Sequence, residues 1–361
     1  MNAQQKAGAV FTRLPLSALL LRVSFRRCAA RAAGPPTPFL ISARASCIMI
    51  PFLFRPARKG TRTDPESYGT AGACMGKRRF GDRKDATLIR DVDAIHLVMG
   101  HLYRNRTANE AYISEQIELD PIYRWMASHP DDELKYTFFH VIVAAMLKTL
   151  IERPKLNRFI SDRKYYQRNE NIASFIVKRQ FSDEGKEGMA VIKATGEDTI
   201  FSVHEKLKKQ VLSCKKGENS STEDGMDIIL KLPRFLQRLV LDVIHWLSVK
   251  GRLPKFATEG DSNHSSVFIT NLGSIGLKCG YHHLSDYGTC SVFVVIGEKK
   301  QTPTFREDGT VSFRDTLDIG LTIDERIADG YYYAKSVKLL KYLIEHPETM
   351  EKEFSAATEM A

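Results

Sequence analysis

The chain has 361 residues, 43% of them hydrophobic and 27% charged, an ordinary globular mixture with room for about two domains that excludes collagenous, disulfide-scaffold and wholly disordered classes. The formal net charge is +10, but eleven of the 53 Lys/Arg and only two of the 43 Asp/Glu, Asp64 and Glu66, fall in residues 1–74, leaving 42 basic against 41 acidic residues in the rest. A nearly neutral body lacks the bulk basic charge that neutralises phosphates, so no nucleic-acid partner is expected.

Residues 1–74 are rich in Arg, Ala, Pro and Ser, and their apolar runs are broken by Arg22, Pro38, Arg44 and Pro51. Neither run reaches the roughly 20 uninterrupted apolar residues of a membrane helix. Three readings fit: a start assigned too early, with Met75 opening the true chain; an organellar targeting segment; or a structured extension. The first is preferred, because composition changes at Met75. The expected layout is therefore an unstructured extension over 1–74 and one domain over 75–361. Of the six cysteines, Cys28, Cys47 and Cys74 lie in the extension; Cys214, Cys279 and Cys290 form neither a disulfide framework nor a zinc motif. A reducing, cytoplasmic setting and no metal are expected.

In chain order, Asp91 to Arg104 spaces Val92, Ile95, Val98, Met99 and Leu102 as a half-buried helix. Ala111 to Leu119 alternates as a strand. Lys135 to Glu152 is helical and stops before Pro154. Tyr165–Tyr166 and Ile172 to Val177 form a strand pair around the turn 168–171. Ile200 to Leu212 is an amphipathic helix, followed by a polar loop from Cys214 to Asp224. Val267 to Thr270, Ser291 to Ile296, Val311 to Phe313 and Leu317 to Ile323 are strands, and Tyr331 to Glu345 closes the chain as a helix. Mixed strands and helices without strict alternation indicate an α+β class.

Asp227 to Lys250 carries a wide apolar stripe that includes Ile228, Leu232, Leu236, Leu239, Val243 and Leu247. A membrane-surface helix has this pattern. Burial against its own domain or a neighbouring subunit is preferred, because Asp242 and His245 intrude and the basic face is thin. Membrane-surface contact is not expected.

Two segments carry chemistry. Phe268-Ile269-Thr270-Asn271-Leu272-Gly273 is a β-run ending in a Gly-punctuated turn. Asp324-Glu325-Arg326-Ile327-Ala328-Asp329-Gly330 lies between an apolar strand and an aromatic helix start. Each is weak alone. In this order, about fifty residues apart, they resemble the Ser-(Asn/Ser)-Leu-Gly and Asp-His-Arg-x-x-Asp-Gly segments of the 2-oxo-acid dehydrogenase acyltransferase catalytic domain, whose fold chloramphenicol acetyltransferases share. Pro154-Lys155-Leu156-Asn157 resembles the Pro-x-Leu-Asn that ends an early helix there. The resemblance spans roughly 78–350, with about 215–260 read as a helical insertion.

That resemblance implies a two-layer, chloramphenicol acetyltransferase-like sandwich of mixed sheet and helices, a homotrimer with sites between subunits, and acyl transfer from coenzyme A to a thiol or hydroxyl acceptor, small or lipoyl-type. It places Thr270 as the oxyanion donor offered to the facing subunit, Asp329 as the structural Asp, and the general base at position 325. There the pattern departs, with Glu325 standing where His belongs. His is a base near neutral pH without help, whereas Glu needs burial. Glu325 is thus open to three readings: a working base, a structural ion-pair member beside Asp324 and Arg326, or a bystander to a base from His282 or His283. The Tyr331-Tyr332-Tyr333 run is read as mixed core and channel wall, and His140, His204 and His245 as packed or exposed. The chain carries no Asp-Lys-Ala lipoyl-attachment segment, GxGxxG after a strand, P-loop, HExxH or GxSxG motif. The function expected is a coenzyme A-dependent acyltransferase with an altered active site. The alternative, from another class, is a catalytically silent scaffold that binds acyl-coenzyme A or a protein.

Overall fold

A computed structural model describes residues 79–130, 135–178, 187–215, 229–306 and 308–360. The extension over 1–74, Met75 and most of the Cys214–Asp224 loop lie outside the described residues.

The body is α+β, built on a six-stranded mixed sheet. Its strands are β2 (Glu110–Glu118), β5 (Asn171–Lys178), β6 (Glu187–Ala194), β7 (Val267–Asn271), β8 (Val292–Phe305) and β9 (Val311–Asp324), in the order β2-β9-β8-β7-β5-β6. Strand β7 runs parallel to both neighbours, and the other pairings are antiparallel. A three-stranded sheet holds β1 (Ala86–Leu88), β4 (Lys164–Arg168) and β3 (Arg158–Ser161), in that order. The Tyr165–Tyr166 strand therefore does not pair with the Ile172 strand; it belongs to the small sheet. Its partner β3 is reached through Asp162 and Arg163, at φ 50° and 60°. Two consecutive positive-φ residues give the turn whose twist matches a tight hairpin.

Helices α2 (Asp120–Ser128), α3 (Phe138–Glu152), α4 (Ile200–Lys215) and α7 (Gly330–Glu345) form the second layer. Every residue of α3 from His140 to Leu150 is buried, as befits a helix that is apolar nearly all round. Lys148 is inside as well, its ammonium met by the Ala356 carbonyl at 2.8 Å and Glu152 at 3.1 Å. A buried charge needs such partners. One continuous core joins α3, α7 and the helix-facing side of the large sheet, with Val267, Ile269, Val292, Val294, Leu321 and Ile323 among its members.

Two helices depart from the sequence expectation. Helix α1 (Ala94–Leu102) forms where predicted, but Ile95 is 73% and Leu102 69% exposed. Helix α5 (Arg234–Val249) begins only after Pro233, and of its residues Ser248 alone is buried. Phe235, Leu239, Val243 and Trp246, at helical spacing, are all exposed. Burial of this stripe against its own domain is thus overturned. A short helix α6 (Lys255–Thr258) follows. The two C-terminal β-runs are one strand: β9 continues through Arg314 and Asp315 and makes a long hairpin with β8. No helix among the described residues is long and apolar enough to cross a membrane.

Candidate active site

The turn after β9 is the centre of the site. Asp324 ends the strand fully buried, and Arg326 folds back on it, placing Nε 2.8 Å and a terminal guanidinium nitrogen 2.7 Å from the two carboxylate oxygens. The other guanidinium nitrogen donates to the Tyr103 carbonyl at 2.7 Å. Burial pulls the Arg326 guanidinium down, but the hydrogen bonds and charge of Asp324 hold it above its ordinary range. Arg106 adds a second cation, 3.6 Å from Asp324. Tyr333 and Tyr165 donate to the carbonyls of Asp324 and Arg326, at 2.6 and 3.2 Å. Burial raises the Tyr165 hydroxyl to about 12.

This anchoring fixes what the turn displays. Asp324, Arg326, Ile327 and Ala328 are at most 3% exposed, while Glu325 between them is exposed. The ion-pair reading of Glu325 is corrected: the pair is Asp324–Arg326, and Glu325 joins no ion pair among the described residues. Its backbone N–H donates to the Asn109 carbonyl at 3.0 Å, tying the turn to the start of β2.

Asp329 is the N-cap of α7. Its carboxylate accepts from the Tyr332 N–H at 2.8 Å, and that bond holds it below its ordinary range. Such a cap contributes about 1 kcal/mol and orients the helix start. Within the Tyr run, Tyr333 is buried and Tyr331 is 71% exposed.

Thr270 lies on β7 opposite Val295 of β8, which in turn pairs with Gly320 of β9. By strand alternation it shares the sheet face of Phe268, the face turned away from the helices. There Phe268, Leu284, Phe293 and Val295 form a separate apolar cluster. Thr270 is half-buried, and no hydrogen bond engages its hydroxyl among the described residues. Glu325 stands two strands away and about five residues further along the strand direction, a separation of roughly 20 Å. One chain alone does not bring Thr270 and Glu325 together.

His282 and His283 lie on the segment that crosses this outer face. The segment hugs the sheet because glycines let it: a Cβ on Gly320 would sit 2.3 Å from the Gly280 carbonyl, and one on Gly297 2.6 Å from the Cys279 nitrogen. His282 stacks on Phe293, centroids 4.6 Å apart and planes 10° from parallel. His283 places Nδ1 3.6 Å from Glu110, the first residue of β2 and the register partner of Asp324. The structure therefore brings His283, Glu110 and the Glu325 turn to one end of the β2–β9 pair. Glu110 went unnoticed in the sequence, where it is one Glu among many.

A second unforeseen constellation joins Ser248 of α5, His264 and Asp261. Ser248 Oγ lies 3.0 Å from His264 Nε2, and His264 Nδ1 lies 2.8 Å from Asp261. Burial pushes the Asp261 carboxyl up, but its bonds to His264 and Asn263 win and hold it low. Ser248 is 3% exposed, so this relay fastens the end of α5 to the body and does not present a nucleophile. Of the lone histidines, His140 and His204 are buried and His245 is exposed. Cys214, Cys279 and Cys290 are free thiols, and no metal-holding cluster occurs among the described residues.

Residues 241–351 match the family model of the 2-oxoacid dehydrogenases acyltransferase catalytic domain, an interval that contains both the Thr270 and the Glu325 segments. No curated protein matches. Similar solved structures include a probable dihydrolipoamide acetyltransferase from Listeria monocytogenes (14% identity, 72% of this chain and 94% of that one, TM-score 0.48). The cubic core of the pyruvate dehydrogenase multienzyme complex is another (13%, 73% and 93%, 0.48). Chloramphenicol acetyltransferase is a third (12%, 72% and 99%, 0.44). Over the stretch that carries its two motifs, the chain resembles the catalytic domain of the 2-oxo-acid dehydrogenase acyltransferases.

Proposed function

We propose that the protein transfers an acyl group from acyl-coenzyme A to a thiol or hydroxyl acceptor, at sites formed between the subunits of a homotrimer. The observation that carries this reading is the turn after β9. Five polar contacts, four of them fully buried, hold it so that position 325 alone among residues 324–328 faces solvent. A turn built this way supports a reacting position rather than a core one, since holding groups in place is how an active site lowers a barrier.

The division of labour follows. The free hydroxyl of Thr270 donates to the thioester oxygen as it becomes an oxyanion. The acceptor's proton is taken at the Glu325 end of β9. Because one chain holds these two ends roughly 20 Å apart, the hydroxyl and the base come from different subunits. The exposed apolar faces of α1 and α5 are surfaces that such an assembly covers. The free cysteines accord with a reducing compartment. We further propose that residues 75–361 form one domain and that α5 belongs to an insertion over about 215–260, of which 216–228 lie outside the described residues.

A second reading, a silent scaffold that binds acyl-coenzyme A or a protein, is favoured by one observation. Glu325 is exposed in the single chain, and a carboxylate needs burial to take a proton from a thiol or hydroxyl near neutral pH. Thiol release from acetyl-coenzyme A, followed with dihydrolipoamide or chloramphenicol as acceptor, separates the two. Acceptor-dependent release is expected. Ligand binding without release on a panel of thiol and hydroxyl acceptors supports the scaffold.

A further inference from the structure

We propose that His283 is the general base of this site and that Glu110 is the residue that positions it. This rests on the acyl-transfer reading above. The turn after β9 lacks an imidazole where the resemblance calls for one, and the loop that crosses the neighbouring sheet face supplies one at the same end.

The physical case begins with Glu110. Its side chain is 2% exposed, while that of His283, directly beside it, is 86% exposed. A buried carboxylate has to be held, and this one is: it accepts from the Leu284 N–H at 2.6 Å and from the Tyr112 hydroxyl at 2.6 Å. Tyr281 packs edge-on against Tyr112, centroids 5.2 Å apart. The loop thus reaches the carboxylate through a backbone bond on one side of His283 and a ring contact on the other. His283 Nδ1 lies 3.6 Å from the carboxylate, within ion-pair range and beyond a hydrogen bond. Catalytic contacts often tighten only when substrate binds. With Nδ1 turned to Glu110, Nε2 is the nitrogen left for substrate, which is the geometry of a base oriented by a carboxylate.

The other candidates near this end are engaged or wrongly placed. His282 lies flat on Phe293. Asp324 is enclosed by Arg326 and Arg106. Asp286, the loop's own acid, accepts from the Thr107 hydroxyl at 2.9 Å and the Arg106 N–H at 2.8 Å. Glu325 is exposed, and its backbone is tied to Asn109, the residue before Glu110. Among these acids, Glu110 is the one set against the His283 ring.

In the step, the acceptor's thiol or hydroxyl proton passes to His283 Nε2 as its sulfur or oxygen bonds to the thioester carbon. The electron pair displaced onto the carbonyl oxygen is held by the facing Thr270. When it returns, the carbon–sulfur bond to coenzyme A breaks, and the departing thiolate takes the proton back from Nε2.

The test is steady-state release of coenzyme A, on the full chain and its variants. Glu110→Gln is expected to lower kcat by up to about 10²-fold with little change in the KM for acetyl-coenzyme A, the mark of a misplaced reacting group. Glu110→Asp restores part of that loss. His283→Gln is expected to lower kcat by about 10²–10⁴-fold with an unchanged circular dichroism spectrum, and by more than Glu325→Gln does. Loss of turnover in Glu325→Gln but not in His283→Gln overturns the assignment and keeps acyl transfer. A kcat that ignores Glu110→Gln overturns the positioning role. A wild-type chain that transfers to none of a panel of thiols and hydroxyls overturns the acyl-transfer reading itself, and the base with it.

Discussion

Replacing Arg326 by Met is expected to destabilise the protein by about 3–5 kcal/mol, the usual cost of leaving one member of a buried ion pair uncompensated. Asp324 is fully buried, and loss of Arg326 removes two charge-assisted hydrogen bonds and the guanidinium contact to Tyr103. Arg106, 3.6 Å from the same carboxylate, limits the loss, so the lower end of the range is the more apt. The double change Asp324→Leu with Arg326→Met is not expected to recover the loss, because buried Arg106 is then left without that carboxylate. Urea denaturation measures both, and the loss is large beside a total stability of about 5–15 kcal/mol. Equal stabilities for the wild type and Arg326→Met would mean that the turn is held by its hydrophobic neighbours, not by the pair.

Replacing Thr270 by Val is expected to lower kcat by about 10²–10³-fold, the cost of removing one oxyanion donor. The KM for acetyl-coenzyme A is expected to change little, because the hydroxyl acts on charge that appears only in the transition state. Stability is expected to change little too, since Thr270 is half-buried and its hydroxyl has no hydrogen bond to lose among the described residues. The proposed sharing of the site between subunits allows a sharper readout. Mixing Thr270→Val and His283→Gln chains under conditions that exchange subunits is expected to recover activity, because one chain still offers the donor and its neighbour the base. No recovery would place both groups in the same chain.

The sequence made part of this legible and hid the rest for physical reasons. Helices α3, α4 and α7 were plain because their apolar periodicity is the one the core uses. For α1 and α5 the same periodicity points to burial. Amphipathicity says that a face favours cover, not what covers it, and Ile95, Phe235 and Trp246 are exposed in the single chain. The β3–β4 hairpin was missed because Asp162-Arg163 takes positive φ without the Asn-Gly or Asp-Gly pair that announces such turns. Arg314 and Asp315 made β9 look like two strands, although an outer hairpin arm tolerates charge on its exposed positions. Thr270, Glu325 and Asp329 stand out as motif positions, and Asp329 caps α7. Glu110 could not stand out: its meaning comes from a register that sets it opposite Asp324 and from a loop contact 174 residues away. The Ser248–His264–Asp261 relay was hidden likewise, because hydrogen-bond geometry leaves no periodic trace.

Calorimetric titration of acetyl-coenzyme A and of free coenzyme A into residues 75–361 tests the central claim most directly, since it needs no knowledge of the acceptor. Micromolar binding of both ligands is expected, with the acetyl-coenzyme A isotherm nearly unchanged in Thr270→Val. Absence of binding at millimolar ligand would contradict an acyl-coenzyme A site in this protein.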